Sequence, residues 1–137
     1  MITEDECIPL ILKKFPGFKD TWEEHLKWWG DDIDICGLGN DFFTFANYVI
    51  DQLKEGNNPD ELRQIFLFAE KMMNEGTENL QEVVSTCFLE NLINAAACEE
   101  DFSASTFVPL LGKKSKKYCK AWDEFTETKT EGLWDLE

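Results

Sequence analysis

The stretch from Thr77 to Ala96, TENLQEVVSTCFLENLINAA, is apolar on two sides. At 100° per residue two sets of side chains fall on roughly opposite faces: Leu80, Val84 and Cys87 on one, and Leu89, Leu92 and Ala96 on the other. A surface helix normally keeps a broad polar side, whereas only a narrow strip of this one is polar. The pattern therefore predicts a central helix, capped by Thr77, with neighbours on two sides.

Apolar residues recur at helical spacing through most of the remaining chain, and glycine and proline mark the breaks. The predicted helices cover residues 4–14, 20–29, 40–55, 59–75, 77–96 and 116–126, the last capped by Ser115. Residues 31–40 and 98–105 are predicted as acidic loops. Because the long helices are joined by short connections, consecutive helices should be antiparallel neighbours. We expect an all-α fold, either a single-domain antiparallel helical bundle or a short stacked-helix array around the central helix 77–96.

The length of 137 residues is that of one domain. We assign residues 1–126 to the helical domain and residues 127–137 to a C-terminal tail without helical periodicity. Leu133, Trp134 and Leu136 could anchor this tail on the body, or the tail could be loose.

The sequence also predicts a cytoplasmic protein. No apolar run is long enough for a membrane span, and the first ten residues are acidic where a signal peptide would be basic. The five cysteines are odd in number and scattered without a CxxC pair, which is typical of reduced thiols.

The formal net charge is −15, and the whole acidic excess lies before residue 113. Nucleic acid is therefore disfavoured as a partner, because most of the surface would repel phosphates. The one lysine-rich stretch, at 113–120, is followed by acids and is better explained by internal charge balance. Acidity favours a basic macromolecular partner, although it could also serve solubility alone.

No motif for catalysis, a metal or a cofactor is present. The DDIDICG segment resembles the start of a calcium loop, but Phe43 stands where a bidentate glutamate is required. His25 is the only histidine, so His-pair metal sites are excluded and no local Cys/His motif exists. We expect His25 to be a surface or half-buried side chain, the protein to hold no metal or cofactor, and the chain not to be an enzyme.

Trp28 is the most informative candidate for partner binding. It points about 100° away from Trp29, which shares a predicted core face with Trp22 and Leu26. Either another helix covers Trp28, or it is an interface anchor. The candidate partner-binding residues are Trp28, a first acidic segment (Asp31, Asp32 and Asp34) and a second acidic segment (Glu99, Glu100 and Asp101).

Four segments carry a resemblance to known proteins: FPGFKDTWEEHLKWWGDD, NDFFTFANYVIDQLKEG, NLQEVVSTCFLENLIN and FVPLLGKKSKKYCKAWDEFTETKTEGL. They resemble small acidic all-α bacterial immunity proteins of polymorphic-toxin and contact-dependent growth-inhibition systems. The resemblance covers most of the chain, but its motifs are structural and name no active site. It implies a non-enzymatic cytoplasmic protein that binds a cognate toxin domain, a basic nuclease in our interpretation, and masks its active site.

Two other classes stay open from the sequence alone. A helical adaptor or regulatory module would use the same Trp28 surface to bind a host protein instead of a toxin. A small enzyme of unrecognised type would show a pocket converging on His25 or on carboxylates with perturbed pKa values.

Overall fold

The computed structural model describes residues 1–135, and within them the fold is all-α, as predicted. The α-helices are α1 (Glu4–Lys14), α2 (Lys19–Trp29), α3 (Ile33–Cys36), α4 (Leu38–Glu55), α5 (Pro59–Glu75), α6 (Glu78–Val83), α7 (Glu90–Cys98) and α8 (Lys113–Thr126). Short 3-10 turns at Pro16–Phe18, Gly30–Asp32, Ala104–Thr106 and Val108–Leu110 join several of them. Among the helices described, none is long and apolar enough to cross a lipid bilayer.

The predicted central helix is present, and it packs against helices on two sides. The Phe88 ring lies between Phe45 of α4 and Phe66 of α5, with ring centroids 5.6 and 5.9 Å away. Leu89 and Leu92 are completely buried. The helix starts as expected, because the Thr77 hydroxyl accepts a hydrogen bond from the backbone N–H of Leu80.

A π-helical turn, Val84–Leu89, separates α6 from α7 within this central helix. Its wider hydrogen bonding is seen at Glu90, whose N–H donates to the carbonyl of Ser85, five residues back. The wider turn changes which side chains face inward, so Ser85 is buried and Cys87 is only half-buried. The prediction that Cys87 lies on a fully buried face was therefore wrong, because this side chain is partly exposed.

The predicted acidic loop at 31–40 is mostly helical. A 3-10 turn at Gly30–Asp32 leads into the four-residue helix α3, and α4 begins already at Leu38. Gly30 and Gly37 have φ angles of 56° and 83°, a region that glycine adopts without steric cost. These two glycines allow α2, α3 and α4 to change direction within a few residues, which brings their side chains together.

The last helix begins earlier than expected, because its cap comes from another helix. α8 starts at Lys113, and the Glu70 carboxylate of α5 accepts hydrogen bonds from the backbone N–H groups of Lys114 and Ser115, at 2.8 and 2.9 Å. The Ser115 hydroxyl, which we expected to cap the helix, also donates to Glu70, at 2.8 Å. A Cβ on Gly112 would overlap the Glu70 side chain, so glycine allows this close approach.

The C-terminal segment is fastened to α8 through Asp123, whose carboxylate is fully buried. It accepts hydrogen bonds from the N–H and hydroxyl of Thr130, both at 2.7 Å, and from the indole N–H of Trp134 at 2.9 Å. Leu133 is buried beside them. The described part of the predicted tail is thus anchored, while Leu136 lies outside the described residues.

The N-terminal end is also tied to the body. Ile2 donates its N–H to the carbonyl of Glu75, and its own carbonyl accepts from Thr77. The Thr77 hydroxyl donates to the Glu4 carboxylate. The residue Ile2 before α1 and the first residue of α1, Glu4, are therefore held against the junction of α5 and α6.

Candidate functional site

Trp28 is 85% exposed, so within the described part of the chain no helix covers it. The buried side of α2 differs from the predicted one, since Leu26 is exposed and His25 is buried. Trp22 and Trp29 are half-buried, and their rings lie 5.1 and 6.5 Å from the imidazole of His25. Trp28, three residues after His25, therefore projects to solvent from the flank of a helix whose inward face is built around His25.

A groove of about 410 Å³ runs between α2 and α4 beside Trp28. Glu24 of α2 and Asp51 of α4 contribute carboxylates to its walls, and none of the described residues that line it is a lysine or an arginine. Tyr48 also lines the groove, and its hydroxyl donates a hydrogen bond to Glu61 at 3.0 Å. Burial, with help from that carboxylate, raises the pKa of Tyr48, so its phenol stays protonated. The groove is consequently a negatively charged depression with an aromatic side chain at its rim.

The first acidic segment follows Trp28 directly. Asp31 and Asp32 lie in the 3-10 turn after α2, Asp34 lies in α3, and all three are exposed. Within residues 1–135 none of them forms an ion pair with a basic side chain. Ile35 and Phe43, on α3 and α4, add exposed apolar surface in the same region. The structure thus places these three predicted site residues close to Trp28 in the chain, on an exposed stretch that is both acidic and apolar.

The second acidic segment lies elsewhere and is partly neutralised. The Lys54 ammonium is 2.5 Å from Glu99 and 3.4 Å from Asp101, while Glu100 is exposed. The hydrogen bond to Glu99 raises the pKa of Lys54. Lys54 is at the C-terminal end of α4, whereas the first acidic segment precedes the N-terminal end. At ~1.5 Å per residue the two segments are roughly 20 Å apart along that helix, too far for one small patch.

His25 is at the centre of a polar cluster that the sequence did not predict. Its Nε2 lies 2.8 Å from Oδ1 of Asp41, and its Nδ1 lies 2.9 Å from the hydroxyl of Thr44. The Cys36 sulfur lies 3.5 Å from the same Nε2 and 3.6 Å from Asp41. The expectation of a surface or half-buried histidine was wrong, because partners at both ring nitrogens allow the imidazole to be buried.

The cluster has the residue types of a cysteine–histidine catalytic pair but not the required electrostatics. Burial, together with the charge and the hydrogen bond of Asp41, raises the pKa of the Cys36 thiol to about 11. A catalytic cysteine needs a lowered pKa so that the thiolate forms near neutral pH. Cys36 is a protonated thiol under those conditions, which disfavours covalent catalysis.

Sequence reasoning missed the cluster because its members are separated by ten, four and two residues along the chain. No local metal or catalytic motif has this spacing. The signal that could have found it is the pair Gly30 and Gly37, whose turns fold the segment from His25 to Thr44 back on itself.

Comparison with known proteins gives one match. Residues 8–127 match the model of a family described as a domain of unknown function, DUF7674. No curated protein and no solved structure matches the chain significantly. Since the match spans the region from α1 to the end of α8, this chain belongs to the DUF7674 family.

Proposed function

We propose that this protein is an immunity-type inhibitor: a non-enzymatic cytoplasmic protein that binds a basic toxin domain, a nuclease, and masks its active site. The observation that carries the proposal is the exposed side chain of Trp28, followed by the exposed carboxylates of the first acidic segment, which form no ion pair within the described residues. The class of partner comes from the resemblance of four sequence segments to bacterial immunity proteins.

A surface of this kind suits a basic protein partner for two separate reasons. Tryptophan is the residue type most enriched among the side chains that dominate binding energy, because it buries a large apolar area. Exposed carboxylates accelerate encounter with a positively charged surface, and a nuclease presents such a surface to its substrate. The groove between α2 and α4, with Glu24 and Asp51 in its walls, can receive a lysine or arginine side chain.

The first acidic segment is a better candidate than the second. Lys54 already offsets part of the charge of Glu99 and Asp101, and a partner would have to compete with it. Asp31, Asp32 and Asp34 are exposed, and exposed apolar side chains accompany them. We therefore assign the partner-binding face to Trp28 with the first acidic segment and keep the second segment as the competing face.

The test measures association and dissociation rates against the purified toxin domain encoded by the neighbouring gene. Trp28→Ala should weaken binding by about 2 kcal/mol, roughly 30-fold in Kd, chiefly through faster dissociation. Phe125→Ala is the matched control, because Phe125 is 80% exposed on a different helix, α8. Equal effects of the two substitutions would remove Trp28 from the interface.

The charges are tested in the same assay. Asp31→Asn with Asp32→Asn should slow association and flatten its dependence on salt, since exposed charges act mainly on the encounter. The variant Glu99→Gln with Glu100→Gln removes the same charge from the competing face. If only Glu99→Gln with Glu100→Gln slows association, the binding face is misassigned. If the toxin neither binds nor loses nuclease activity, the immunity function itself is wrong.

An adaptor that binds a host protein would use the same face without inhibiting an enzyme. The two functions are separated by the nuclease assay: an inhibitor must abolish toxin activity, and Trp28→Ala should require about 30-fold more protein for half-maximal inhibition.

A further inference from the structure

The cluster at His25 brings three kinds of ligand atom to one place. They are the imidazole Nε2 of His25 from α2, the sulfur of Cys36 from α3, and a carboxylate oxygen of Asp41 from α4. All three atoms lie within 4.8 Å of one another. His25 and Cys36 are buried, and the Asp41 side chain is 18% exposed.

The spacing of these atoms is close to that around a tetrahedral zinc ion. With metal bonds of ~2.0 Å to nitrogen and oxygen and ~2.3 Å to sulfur, tetrahedral ligands lie about 3.5 Å apart when one is sulfur and about 3.3 Å apart when neither is. The distances from sulfur to nitrogen and to oxygen are 3.5 and 3.6 Å. Only the 2.8 Å hydrogen bond between His25 and Asp41 would have to open, by about half an ångström on this tetrahedral estimate.

We propose that His25, Cys36 and Asp41 form a zinc site with an open fourth position. The proposal departs from the expectation drawn from the sequence, which contains no local metal motif, and it goes beyond the proposed inhibitor function. One nitrogen, one sulfur and one oxygen suit Zn²⁺, whereas Ca²⁺ and Mg²⁺ prefer oxygen ligands alone. The Asp41 side chain is 18% exposed, so water can reach the edge of the site and supply the fourth ligand.

The surroundings supply the support that a zinc-binding histidine needs. When Nε2 binds the ion, the ring proton is on Nδ1 and is donated to the Thr44 hydroxyl, which is 2.9 Å away. Trp22 and Trp29 flank the imidazole and limit its rotation. The Asn40 side chain donates to the carbonyl of Cys36 at 2.5 Å and so fixes the end of α3.

Binding exchanges a proton for the ion. The Cys36 thiol loses its proton to solvent and its sulfur forms the bond to zinc as a thiolate. The ion would then join three helices, of which α3 has only four residues and cannot be stable alone.

The first experiment titrates chelator-treated protein with Zn²⁺ by calorimetry and with Co²⁺ by absorption spectroscopy. One ion should bind per chain, and the cobalt form should show the ligand-field bands of a tetrahedral ion together with thiolate-to-cobalt charge transfer. Mg²⁺ should not compete. Absence of stoichiometric binding, or a cobalt spectrum without the thiolate band, would overturn the proposal.

Two cysteine variants locate the site. Cys36→Ala should lose the charge-transfer band and at least tenfold in zinc affinity, while Cys98→Ala, at an exposed cysteine on α7, should bind zinc like the parent protein. Circular dichroism and Tm establish that both variants fold. Equal loss in both variants, or in neither, contradicts the assignment.

Thr44→Val keeps the test decisive if Cys36→Ala does not fold. It leaves all three ligands in place and removes only the acceptor for Nδ1–H, so zinc affinity should fall about 10-fold to 100-fold with the cobalt thiolate band retained. Unchanged affinity in a folded Thr44→Val variant would show that His25 is not oriented as a ligand.

Discussion

Glu70→Gln tests how the start of α8 is stabilised. The N-cap residue of α8, Gly112, has no side chain that could cap the helix, and the carboxylate of Glu70 on α5 takes that role. Glu70 accepts from two backbone N–H groups at the start of α8 and from one hydroxyl. The first turns of α8 also carry lysines, whose charges oppose the positive end of the helix dipole. Glu70 therefore supplies both hydrogen-bond acceptors and a favourable charge.

The expected magnitude follows from these two contributions. Loss of a capping side chain costs about 1 kcal/mol, and loss of a favourable charge near a helix N-terminus costs about 0.3–1 kcal/mol. Glu70→Gln keeps one acceptor oxygen and loses the charge, so its unfolding free energy should fall by about 1 kcal/mol. Glu70→Ala removes both the acceptor oxygens and the charge. Its unfolding free energy should fall by about 2–3 kcal/mol, because the N–H groups at the start of α8 are left without partners.

The pH dependence adds a second readout. Burial alone would raise the pKa of Glu70, but the hydrogen bonds from Lys114, Ser115 and Asn74 outweigh it, and the pKa lies below the ordinary value of 4.5. A lowered folded-state pKa means that the stabilisation is complete above the unfolded-state pKa and is lost as the pH falls through the folded-state pKa. The difference between the parent protein and Glu70→Gln should therefore be constant near neutrality and shrink in acid.

The assay is urea unfolding followed by tryptophan fluorescence, from neutral pH down through that range. Glu75→Gln is the control, since Glu75 is an exposed glutamate on the same helix and carries the same charge. Gly112→Ala provides the complementary perturbation: its methyl group should displace Glu70 and destabilise the parent protein, yet be nearly neutral in a Glu70→Ala background. Additive effects of these two substitutions, or a Glu70→Gln variant as stable as its control, would refute the reasoning.

Two further predictions concern the core and the thiols. Phe88→Ala should lower the unfolding free energy by about 3–5 kcal/mol, whereas Phe125→Ala on the surface should change it by less than about 0.5 kcal/mol; chemical denaturation checks both. In native protein iodoacetamide should modify Cys98 well before Cys119, because burial raises the pKa of Cys119 to about 12 and excludes the reagent; mass spectrometry after timed quenching should show equal modification only in denaturant.

Local signals were sufficient for much of the fold. Gly56 ends α4 in the left-handed conformation and Pro59 is the first residue of α5, which agrees with the predicted helix bounds at 55 and 59. Thr77 caps the central helix, also as predicted. These helix ends could be predicted because each depends only on residues within a few positions. The apolar double face of that helix likewise predicted burial of Leu89 without knowledge of its neighbours.

Features that depend on distant residues could not be predicted. The start of α8 depends on Glu70, which is more than forty residues earlier in the chain. The burial of His25 depends on Asp41 and Thr44, and the spacing between them matches no motif. The exposure of Trp28 was open from the sequence, because an off-face aromatic can equally be covered by a helix from elsewhere.

The buried carboxylate of Asp123 determines how much of the chain must be kept for folding. The family match ends at residue 127, yet the donors to that carboxylate are Thr130 and Trp134. A fragment cut to 8–127 would remove these donors, uncover the Asp123 side chain and lose the core packing of Leu133, so it should be less stable than the longer chain. Fragments for expression or crystallisation should therefore extend at least through residue 135, since the segment beyond α8 completes the folding unit.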